Sequence, residues 1–313
     1  MRSDTSYSVW IPSLMLIIVL GIHALLAYTI KASDDSTTEC GAIMHDGNTA
    51  MQCSTADNAT EFATTAIMQD SRMGGYLRHH QEVDGGSASF TNRRLLQSGT
   101  PGMDVSGYQG NVDWTTAFNN GAKFAYVKAT EGTGYTNPYF AQQYDGSFNV
   151  GMIRGAYHFG RPDISDGATQ ANFFVQNGGG WSGDGFTLPG ALDIEYNPSC
   201  GSSCTPAQTC YNLGQAAMGS WISDFVNTYQ SATGVWPVIY STASWYNQCV
   251  GTFGDFSANC PFWLACYCSN PSSYPYNWGY YTFWQYASSG TFPGDQDVFN
   301  GPYSQLQALA TSG

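Results

Sequence analysis

Two acidic residues stand two positions apart in the stretch Thr187-Leu-Pro-Gly-Ala-Leu-Asp-Ile-Glu-Tyr196. Apolar neighbours and the preceding Pro189-Gly190 are typical of a short buried strand. Because side chains alternate along a strand, Asp193 and Glu195 share one face, with Cα atoms about 7 Å apart. Two like charges in apolar surroundings favour one protonated carboxyl beside one ionised carboxylate, which is the arrangement glycosidases use. The alternative is a strand end whose acids face solvent or pair with a helix N-terminus.

Further carboxylates fall at the ends of predicted strands: Asp104 early in the chain, and Asp295 and Asp297 near its end. Such an acid is by itself more typical of a helix cap, but strand ends of a β/α barrel meet at one face, where catalytic residues sit. Lys128 ends another strand, where it either keeps a carboxylate ionised or is a structural ion-pair partner. His158 is interpreted as a hydrogen-bonded structural residue rather than a base.

Other chemistries find little support in the sequence. It contains no nucleophile elbow around a serine, no phosphate-binding loop and no dinucleotide fingerprint. Carboxylates are also ligands for Mg²⁺ or Ca²⁺, but the apolar context of Asp193 and Glu195 argues against a metal site. No metal or organic cofactor is therefore expected.

Strands and helices alternate from residue 103 onward. Predicted strands are 103–106, 124–130, 151–159, the Asp193/Glu195 stretch, 235–241, 262–267 and 281–287, and predicted helices are 113–120, 137–149, 165–176 and 206–231. This alternation indicates a parallel sheet with helices outside. Over residues 99–313 it favours one closed barrel, an irregular TIM-like β/α barrel, because helices become sparse after Trp245.

The composition is acidic and aromatic. The formal net charge is −13, aromatic residues make up 15% of the chain, and no Lys or Arg follows Arg161. This composition provides no basic surface for nucleic acid or for anionic lipid. An uncharged sugar suits such a cleft, although the same composition is also that of an ordinary acidic secreted protein.

The chain has nine cysteines, an odd number. Most of them follow residue 199, where no histidine is present, so a Cys/His zinc site is not expected there. Disulfides formed in an oxidising compartment are expected, with one thiol left over or paired between chains. The spacing does not determine which cysteines pair.

The first 98 residues differ from the rest. After a short tail, residues 1–9, comes an uncharged and mostly apolar run, residues 10–30, which has the roughly 20 residues that cross a bilayer. We interpret it as an uncleaved signal-anchor that leaves the remainder outside, with a cleaved signal peptide as the alternative. The protein is thus expected to be extracellular or lumenal, as a type II membrane protein or a secreted one.

Residues 31–98 are polar and rich in Ser, Thr, Gly and Asp. Such a composition buries little apolar surface, so it predicts a disordered stalk or a pro-segment. It contains a glycosylation sequon at Asn58 and a dibasic pair, Arg93-Arg94, which is a candidate processing site.

Five stretches in the same order resemble glycoside hydrolase family 25, the Chalaropsis-type lysozymes. They are Gly102-Met-Asp-Val-Ser-x-Tyr-Gln-Gly-x-Val-Asp-Trp114, Phe124-Ala-Tyr-Val-Lys-Ala-Thr-Glu-Gly132, Arg154-Gly-Ala-Tyr-His-Phe159, Leu188-Pro-Gly-Ala-Leu-Asp-Ile-Glu195 and Phe283-Trp-Gln-Tyr286, followed by Asp297-Val-Phe-Asn-Gly301. The resemblance covers residues 99–313. It implies an irregular β/α barrel and cleavage of the β-1,4 bond between N-acetylmuramic acid and N-acetylglucosamine in peptidoglycan.

The resemblance also implies roles for individual residues. The family's acid/base falls on Glu195, its neighbouring aspartate on Asp193, its first-strand aspartate on Asp104 and its late aspartate on Asp295, with Asp297 close by. Cleft-lining positions fall on Tyr157 and Lys128. Independently of the resemblance, Trp284, Tyr157 and Tyr286 are expected to offer aromatic faces to sugar rings, with a place in the apolar core as the alternative for each. The cysteine-containing loop at 200–210 departs from the family pattern without touching these positions.

The expected mechanism has Glu195 protonating the glycosidic oxygen and then activating water. An ionised Asp193 either stabilises the oxocarbenium ion or steadies the N-acetyl group of the substrate as an internal nucleophile. Two alternatives remain open: a catalytically silent sugar-binding module, and a glycosidase of the same barrel type that acts on chitin. The oligomeric state is not predicted.

Overall fold

The computed structural model describes residues 28–30, 38–45, 48–55, 70–74, 99–200 and 203–313. The chain divides into two compact units, Met1–Ile67 and Met68–Gly313. The second unit contains the predicted catalytic residues.

In the first unit, strands β1 (Tyr28–Ile30), β2 (Thr38–His45) and β3 (Asn48–Thr55) pair antiparallel in the order β1-β2-β3. Two residues, Asp46-Gly47, connect β2 to β3, a dipeptide that favours tight hairpins. Residues 38–45 and 48–55 of the predicted stalk or pro-segment thus form strands, and the assignment of residues 31–98 as a disordered stalk or a pro-segment stays a prediction.

The predicted membrane segment, residues 10–30, lies outside the described residues except for Tyr28–Ile30, which form strand β1. The tail 1–9, the sequon at Asn58 and the Arg93-Arg94 pair also lie outside them. In the described part of the chain, no helix combines the length and apolar character needed to cross a membrane.

The second unit contains a closed barrel of eight strands. Seven run parallel, and the last lies antiparallel between the seventh and the first, closing the barrel. In chain order the strands are β4 (Thr100–Val105), β5 (Phe124–Glu131), β7 (Ile153–Phe159), β8 (Ala191–Asp193), β9 (Val238–Ser241), β10 (Phe262–Ala265), β11 (Phe283–Ala287) and β12 (Asp295–Phe299), with a short β6 (Tyr135–Thr136) paired outside the ring to β5. The prediction of an irregular TIM-like barrel is confirmed.

Helices cover the outside of the barrel. They are α1 (Trp114–Asn119), α2 (Phe140–Asn149), α3 (Gly167–Phe174), α4 (Pro206–Thr209), α5 (Gln215–Thr233), α6 (Ala243–Cys249) and α7 (Tyr303–Ser312). Asp113 caps α1 by accepting a hydrogen bond from the Thr116 N–H at 3.0 Å. The predicted helix 206–231 is instead two helices, because Tyr211 and Asn212 adopt φ angles of 56° and 59° and interrupt it. Strand β12 and helices α6 and α7 were not predicted.

Aromatic rings fill the barrel interior. Tyr126 lies 4.7 Å from Trp263 and 5.5 Å from Phe283 between ring centroids, and Phe283 lies 5.3 Å from Phe299. A second apolar cluster lies between the strands and helices α3, α5 and α6. With both faces covered, β5 is buried at every position, and the barrel is a packed core whose polar side chains collect at the carboxyl ends of its strands.

Three disulfides join cysteines of the second unit: Cys200–Cys204, Cys210–Cys249 and Cys266–Cys268. Among the described cysteines Cys260 is a buried free thiol, and burial raises its pKa to about 12. The prediction of disulfides is confirmed. Which cysteines pair could be read only from the structure.

Candidate active site

Acidic side chains from three strands converge at the mouth of the barrel, the face formed by the carboxyl ends of its parallel strands. Asp193 ends β8, and Glu195 follows it, held in line by a 3.0 Å hydrogen bond from the Ile194 N–H to the Tyr240 carbonyl. Asp104 lies near the end of β4. Because β12 runs antiparallel, its first residue, Asp295, lies at this same face, directly opposite Asp104.

Asp193 is completely buried, and neither of its carboxyl oxygens accepts a hydrogen bond from a described residue. Burial raises its pKa well above the usual value, and the negative charge of Glu195 raises it further. The ionised Asp193 expected from the sequence is therefore disfavoured in this structure.

Asp104 belongs to a hydrogen-bonded network at the centre of the mouth. The Gln285 side-chain amide donates to Asp104 Oδ2 at 2.8 Å, and its oxygen accepts from the hydroxyls of Tyr240 at 2.9 Å and Tyr267 at 3.1 Å. Beneath it, the Trp263 indole donates to Asp297 Oδ1 at 3.0 Å. Burial, followed by the adjacent Asp104 carboxyl, raises the pKa of Asp297.

Lys128 lies at the edge of the mouth in a buried ion pair. Its ammonium donates to Glu131 Oε2 at 2.7 Å, and Arg161 donates to Glu131 Oε1 at 3.2 Å. Burial by itself would raise the pKa of Glu131, but Lys128 and the hydrogen bonds outweigh burial and lower it. The ammonium also donates to Asp70 Oδ1 at 2.8 Å and to the Ser71 carbonyl at 2.6 Å.

Residues 70–74 thus lie against the same mouth. The Gly74 N–H donates to Glu195 Oε1 at 2.5 Å, and the Ser71 N–H and hydroxyl donate to Glu131 at 2.8 and 2.7 Å. The described residues hold no group of His, Cys, Asp and Glu side chains arranged to bind a metal ion. The arrangement provides a coupled carboxyl pair in a nearly dry site, surrounded by fixed hydrogen-bond donors and acceptors.

The sequence of residues 103–295 matches the family model described as glycosyl hydrolases family 25. The chain belongs to glycosyl hydrolases family 25. The match extends over the barrel and includes the strand ends that carry Asp104, Asp193 and Glu195.

Family 25 relatives resemble this chain along nearly their whole length. "N,O-diacetylmuramidase" from Arthroderma benhamiae is 45% identical over 212 residues, which is 68% of this chain and 87% of the relative. "Lysozyme M1" from Streptomyces globisporus is 42% identical over 77% of this chain and 81% of its own.

Solved family 25 structures agree with the fold. The muramidase from Acremonium alcalophilum is 50% identical with a TM-score of 0.64, and covers 68% of this chain and 99% of its own. The lysozyme from Aspergillus fumigatus is 47% identical with a TM-score of 0.65, and covers 68% of this chain and all of its own, 100%. The proteins in these two solved structures are thus about as long as residues 99–313 of this chain.

The family-derived cleft residues Tyr157 and Lys128 do lie at the mouth. Tyr157 is buried, and burial, followed by the charge of Asp104, raises the pKa of its hydroxyl. His158 is held on its two ring nitrogens by Thr130 at 2.7 Å and Gln170 at 2.9 Å, and burial lowers its pKa to about 4. It is therefore a neutral structural residue, as interpreted from the sequence.

The structure does not bring Trp284 and Tyr286 together with the carboxylates. They alternate with Gln285 along β11, so they lie on its other face, in an apolar cluster with Cys268 and Val298. The Trp284 indole donates to the Cys266 carbonyl at 2.8 Å. A role for either ring in stacking on sugar stays a prediction.

Several residues at the mouth were missed from the sequence: Tyr240, Tyr267, Gln285 and the segment 70–74. Gln285 had a usable signal, because it stands in the family-like stretch Phe283-Trp-Gln-Tyr286 and alternation places it on the face opposite the two outer aromatic rings. Residues 70–74 carry no local pattern that points to the barrel.

Proposed function

We propose that this family 25 protein is a lysozyme, an N-acetylmuramidase that hydrolyses the β-1,4 bond between N-acetylmuramic acid and N-acetylglucosamine in bacterial peptidoglycan. The observation that carries the proposal is the buried carboxyl pair Asp193 and Glu195 at the mouth of a family 25 barrel. The relatives named as a lysozyme and as muramidases support the substrate class.

Glu195 is the general acid in this proposal. It protonates the glycosidic oxygen as the bond breaks, and the resulting carboxylate then removes a proton from the incoming water. The pair has to carry one proton for this chemistry, with that proton on Glu195 when substrate is bound. The positive charge that develops on the sugar would favour the ionised form of Asp193 and so move the proton to Glu195.

In this proposal Asp193 interacts with the sugar on which the positive charge develops. Its two oxygens accept no hydrogen bond from the described residues, so they are available to a donor that arrives with the substrate. The N–H of an N-acetyl group is such a donor, and this supports a role in steadying the N-acetyl group as an internal nucleophile. Direct stabilisation of the oxocarbenium ion is the alternative role for the same carboxylate.

The remaining carboxylates position the substrate and the pair. We assign Asp104 and Asp295, which face each other across β4 and β12, to hydroxyl groups of the sugar. Asp297 lies one layer deeper, against Trp263, so its proposed role is to support Asp104 rather than to touch sugar. Lys128 and Tyr157 supply donors at the cleft edge.

The proposal places the enzyme outside the cell, where peptidoglycan is accessible and where disulfides such as Cys210–Cys249 persist. The only macromolecular partner it requires is the glycan strand. The acidic, Lys- and Arg-poor barrel offers no site for nucleic acid.

The test compares residues 99–313, the length to which the solved relatives correspond, with its Glu195→Gln variant on purified peptidoglycan. New N-acetylmuramic acid reducing ends should appear with the parent, and turnover should fall by at least about 10³-fold in the variant, with an unchanged circular dichroism spectrum. Asp224→Asn, on the exposed face of α5, is the matched control and should retain full activity.

Three results would contradict the proposal. Unimpaired turnover in Glu195→Gln would remove Glu195 as the acid. Faster release of reducing ends from chitin than from peptidoglycan would make the protein a chitin hydrolase. Binding of peptidoglycan by the folded parent without any product would make it a sugar-binding module.

A further inference from the structure

Residues 70–74 belong to the same compact unit as the barrel, Met68–Gly313, although 24 residues of sequence separate Gly74 from Gly99. They do not extend the sheet. They lie across the mouth and contact residues from the ends of several strands.

Polar contacts fix the first half of the segment. The Lys128 ammonium binds both the Asp70 carboxylate, at 2.8 Å, and the Ser71 carbonyl, at 2.6 Å. Ser71 returns two hydrogen bonds to Glu131, from its N–H at 2.8 Å and from its hydroxyl at 2.7 Å. Since Lys128 and Glu131 are completely buried, these bonds are shielded from water and hold the segment strongly.

The second half enters the centre of the mouth. Met73 is 2% exposed and joins the apolar cluster of the barrel interior, which contains Tyr157, Tyr240 and Trp263. Arg72 stays outside, with its guanidinium 3.8 Å from the centre of the Tyr108 ring. The segment is thus anchored by an apolar side chain as well as by charge.

Gly74 fits where no other residue would. Its φ is +67°, and a Cβ atom there would lie 2.7 Å from the Tyr267 hydroxyl, 2.9 Å from Gln285 Oε1 and 3.1 Å from the Tyr240 hydroxyl. The missing side chain lets the backbone N–H reach Glu195 Oε1 at 2.5 Å. A glycine with left-handed backbone therefore contacts the proposed acid directly.

This contact is incompatible with turnover. A glycosidic oxygen must come within hydrogen-bond distance of the Glu195 carboxyl, and the Gly74 N–H already occupies the hydrogen-bonding position at Oε1. An N–H donor also favours the charged form of a carboxylate, which is the wrong form for a general acid. With residues 70–74 in place, Glu195 is 2% exposed and Asp193 is fully buried.

We propose that Asp70–Gly74 is an intramolecular inhibitor that closes the active site of the uncut chain, and that cleavage between Gly74 and Gly99 activates the enzyme. The proposal rests on the proposed function, because it treats Glu195 as the group that must meet substrate. It makes the region before the barrel a pro-segment rather than a stalk.

Cleavage activates because it removes a tether. A covalently attached segment competes with substrate at an effective concentration of about millimolar, which is lost once the chain is cut and diluted. The connecting residues 75–98 contain Arg78 and the Arg93-Arg94 pair. A protease that cuts after basic residues is therefore the chemical class of activator that this stretch would accept.

The test uses the full chain with Arg93-Arg94 and their neighbours replaced by the site of a sequence-specific protease. Reducing-end release from peptidoglycan is measured before cutting, and again after the cut protein has been separated from its N-terminal fragment. Activity should rise by at least about 10-fold on cutting, because the uncut chain is open for only a small fraction of the time.

Two glycine variants of the uncut chain locate the inhibitor. Gly74→Val should displace the segment and bring the activity of the uncut protein to within about 2-fold of the cut protein. Gly180→Val is the matched control, because Gly180 has an ordinary φ of −64° and no atom within 4 Å of its added Cβ; its uncut protein should stay as inactive as the parent. Equal activity of cut and uncut parent would overturn the proposal.

A binding measurement separates this proposal from the proposed function. A fluorescent peptide of residues 68–76 should bind the cut protein, and the same peptide with Gly74→Val should bind at least about 10-fold more weakly. Equal or absent binding of the two peptides would overturn the inhibitor. Selective binding to a cut protein that releases nothing from peptidoglycan would support the segment's place in the mouth and show that the proposed lysozyme activity is what fails.

Discussion

At the scale of single residues, the site depends on a carboxyl that is costly to ionise. Asp193 is buried against Glu195, without a hydrogen-bond donor among the described residues. A well-packed apolar residue would be more stable there, so this carboxyl is a cost to stability that suits a catalytic role. This cost should appear as a change in the free energy of unfolding with pH.

We expect Asp193→Asn to become more stable relative to the parent as the pH rises. A carboxyl whose folded-state pKa is raised contributes its stability below the unfolded pKa of about 3.9, and that contribution is lost as the pH rises through the folded value. The free energy of unfolding of the parent should therefore fall between pH 4 and pH 7 by at least about 1.4 kcal/mol more than that of Asp193→Asn, measured by urea titration.

Asp166→Asn provides the opposite case. The N–H of Thr169 donates to the exposed Asp166 carboxylate at 2.7 Å and lowers its pKa. The ionised carboxylate therefore stabilises the fold above its unfolded pKa, and Asp166→Asn should lower the free energy of unfolding more at pH 7 than at pH 4. If Asp193→Asn showed no pH-dependent gain, Asp193 would not be the proton-holding member of the pair.

Gln285 should matter to both catalysis and stability. Gln285→Leu removes the donor to Asp104 and the acceptor for the hydroxyls of Tyr240 and Tyr267, so each of these three groups loses one hydrogen bond. We expect a loss of about 1–3 kcal/mol in the free energy of unfolding and a fall in kcat of about 10-fold for residues 99–313. A Leu variant with unchanged kcat would contradict the role assigned to this network.

At the scale of elements, contacts between residues far apart in sequence complete the barrel. Strand β12 closes the ring in the antiparallel direction and delivers Asp295 to the mouth. The Cys210–Cys249 disulfide joins the end of α4 to the end of α6 over 39 residues.

Removing the long disulfide should therefore cost more than removing a short one. Cys210→Ala with Cys249→Ala should lower the free energy of unfolding by roughly 4 kcal/mol, whereas Cys266→Ala with Cys268→Ala, which opens a separation of 2 residues, should lower it by roughly 1.5 kcal/mol. Thermal unfolding under non-reducing conditions measures both. Equal losses of unfolding free energy in the two double variants would show that these disulfides do not stabilise the fold by restricting the unfolded chain.

At the scale of the whole molecule, charge works against substrate binding. The protein carries a net charge of −13, and residues 162–313 contain no Lys or Arg. Peptidoglycan is itself anionic through its lactyl and peptide carboxylates, so the long-range interaction between enzyme and substrate is repulsive.

Activity on peptidoglycan should consequently rise with salt. Raising the ionic strength from 0.01 M to 0.1 M shortens the screening length from about 30 Å to about 10 Å, and we expect the initial rate of the 99–313 protein to rise by about two- to three-fold. An uncharged N-acetylglucosamine oligomer is the control substrate, whose binding should not change. A rate that falls with salt would require a basic binding surface that the barrel sequence does not provide.

Local patterns in the sequence determined much of the fold and of the site. Strands β5 and β7 and the capped helix α1 follow from apolar runs, alternation and the Asp113 cap, which involve only near neighbours. The same alternation put Asp193 and Glu195 on one face and Asp104 at a strand end. Family-like motifs then assigned a chemistry to these carboxylates.

Only the tertiary structure decided which distant parts meet at the mouth. The Gly74–Glu195 hydrogen bond joins residues 121 positions apart, and the Gln285–Asp104 hydrogen bond joins residues 181 apart. No pattern within a strand or a helix encodes such contacts, because they depend on barrel closure through β12 and on the shape of the cleft that closure creates. For that reason the sequence pointed to the proposed pair Asp193 and Glu195, whereas the segment that covers it was found only in the folded chain.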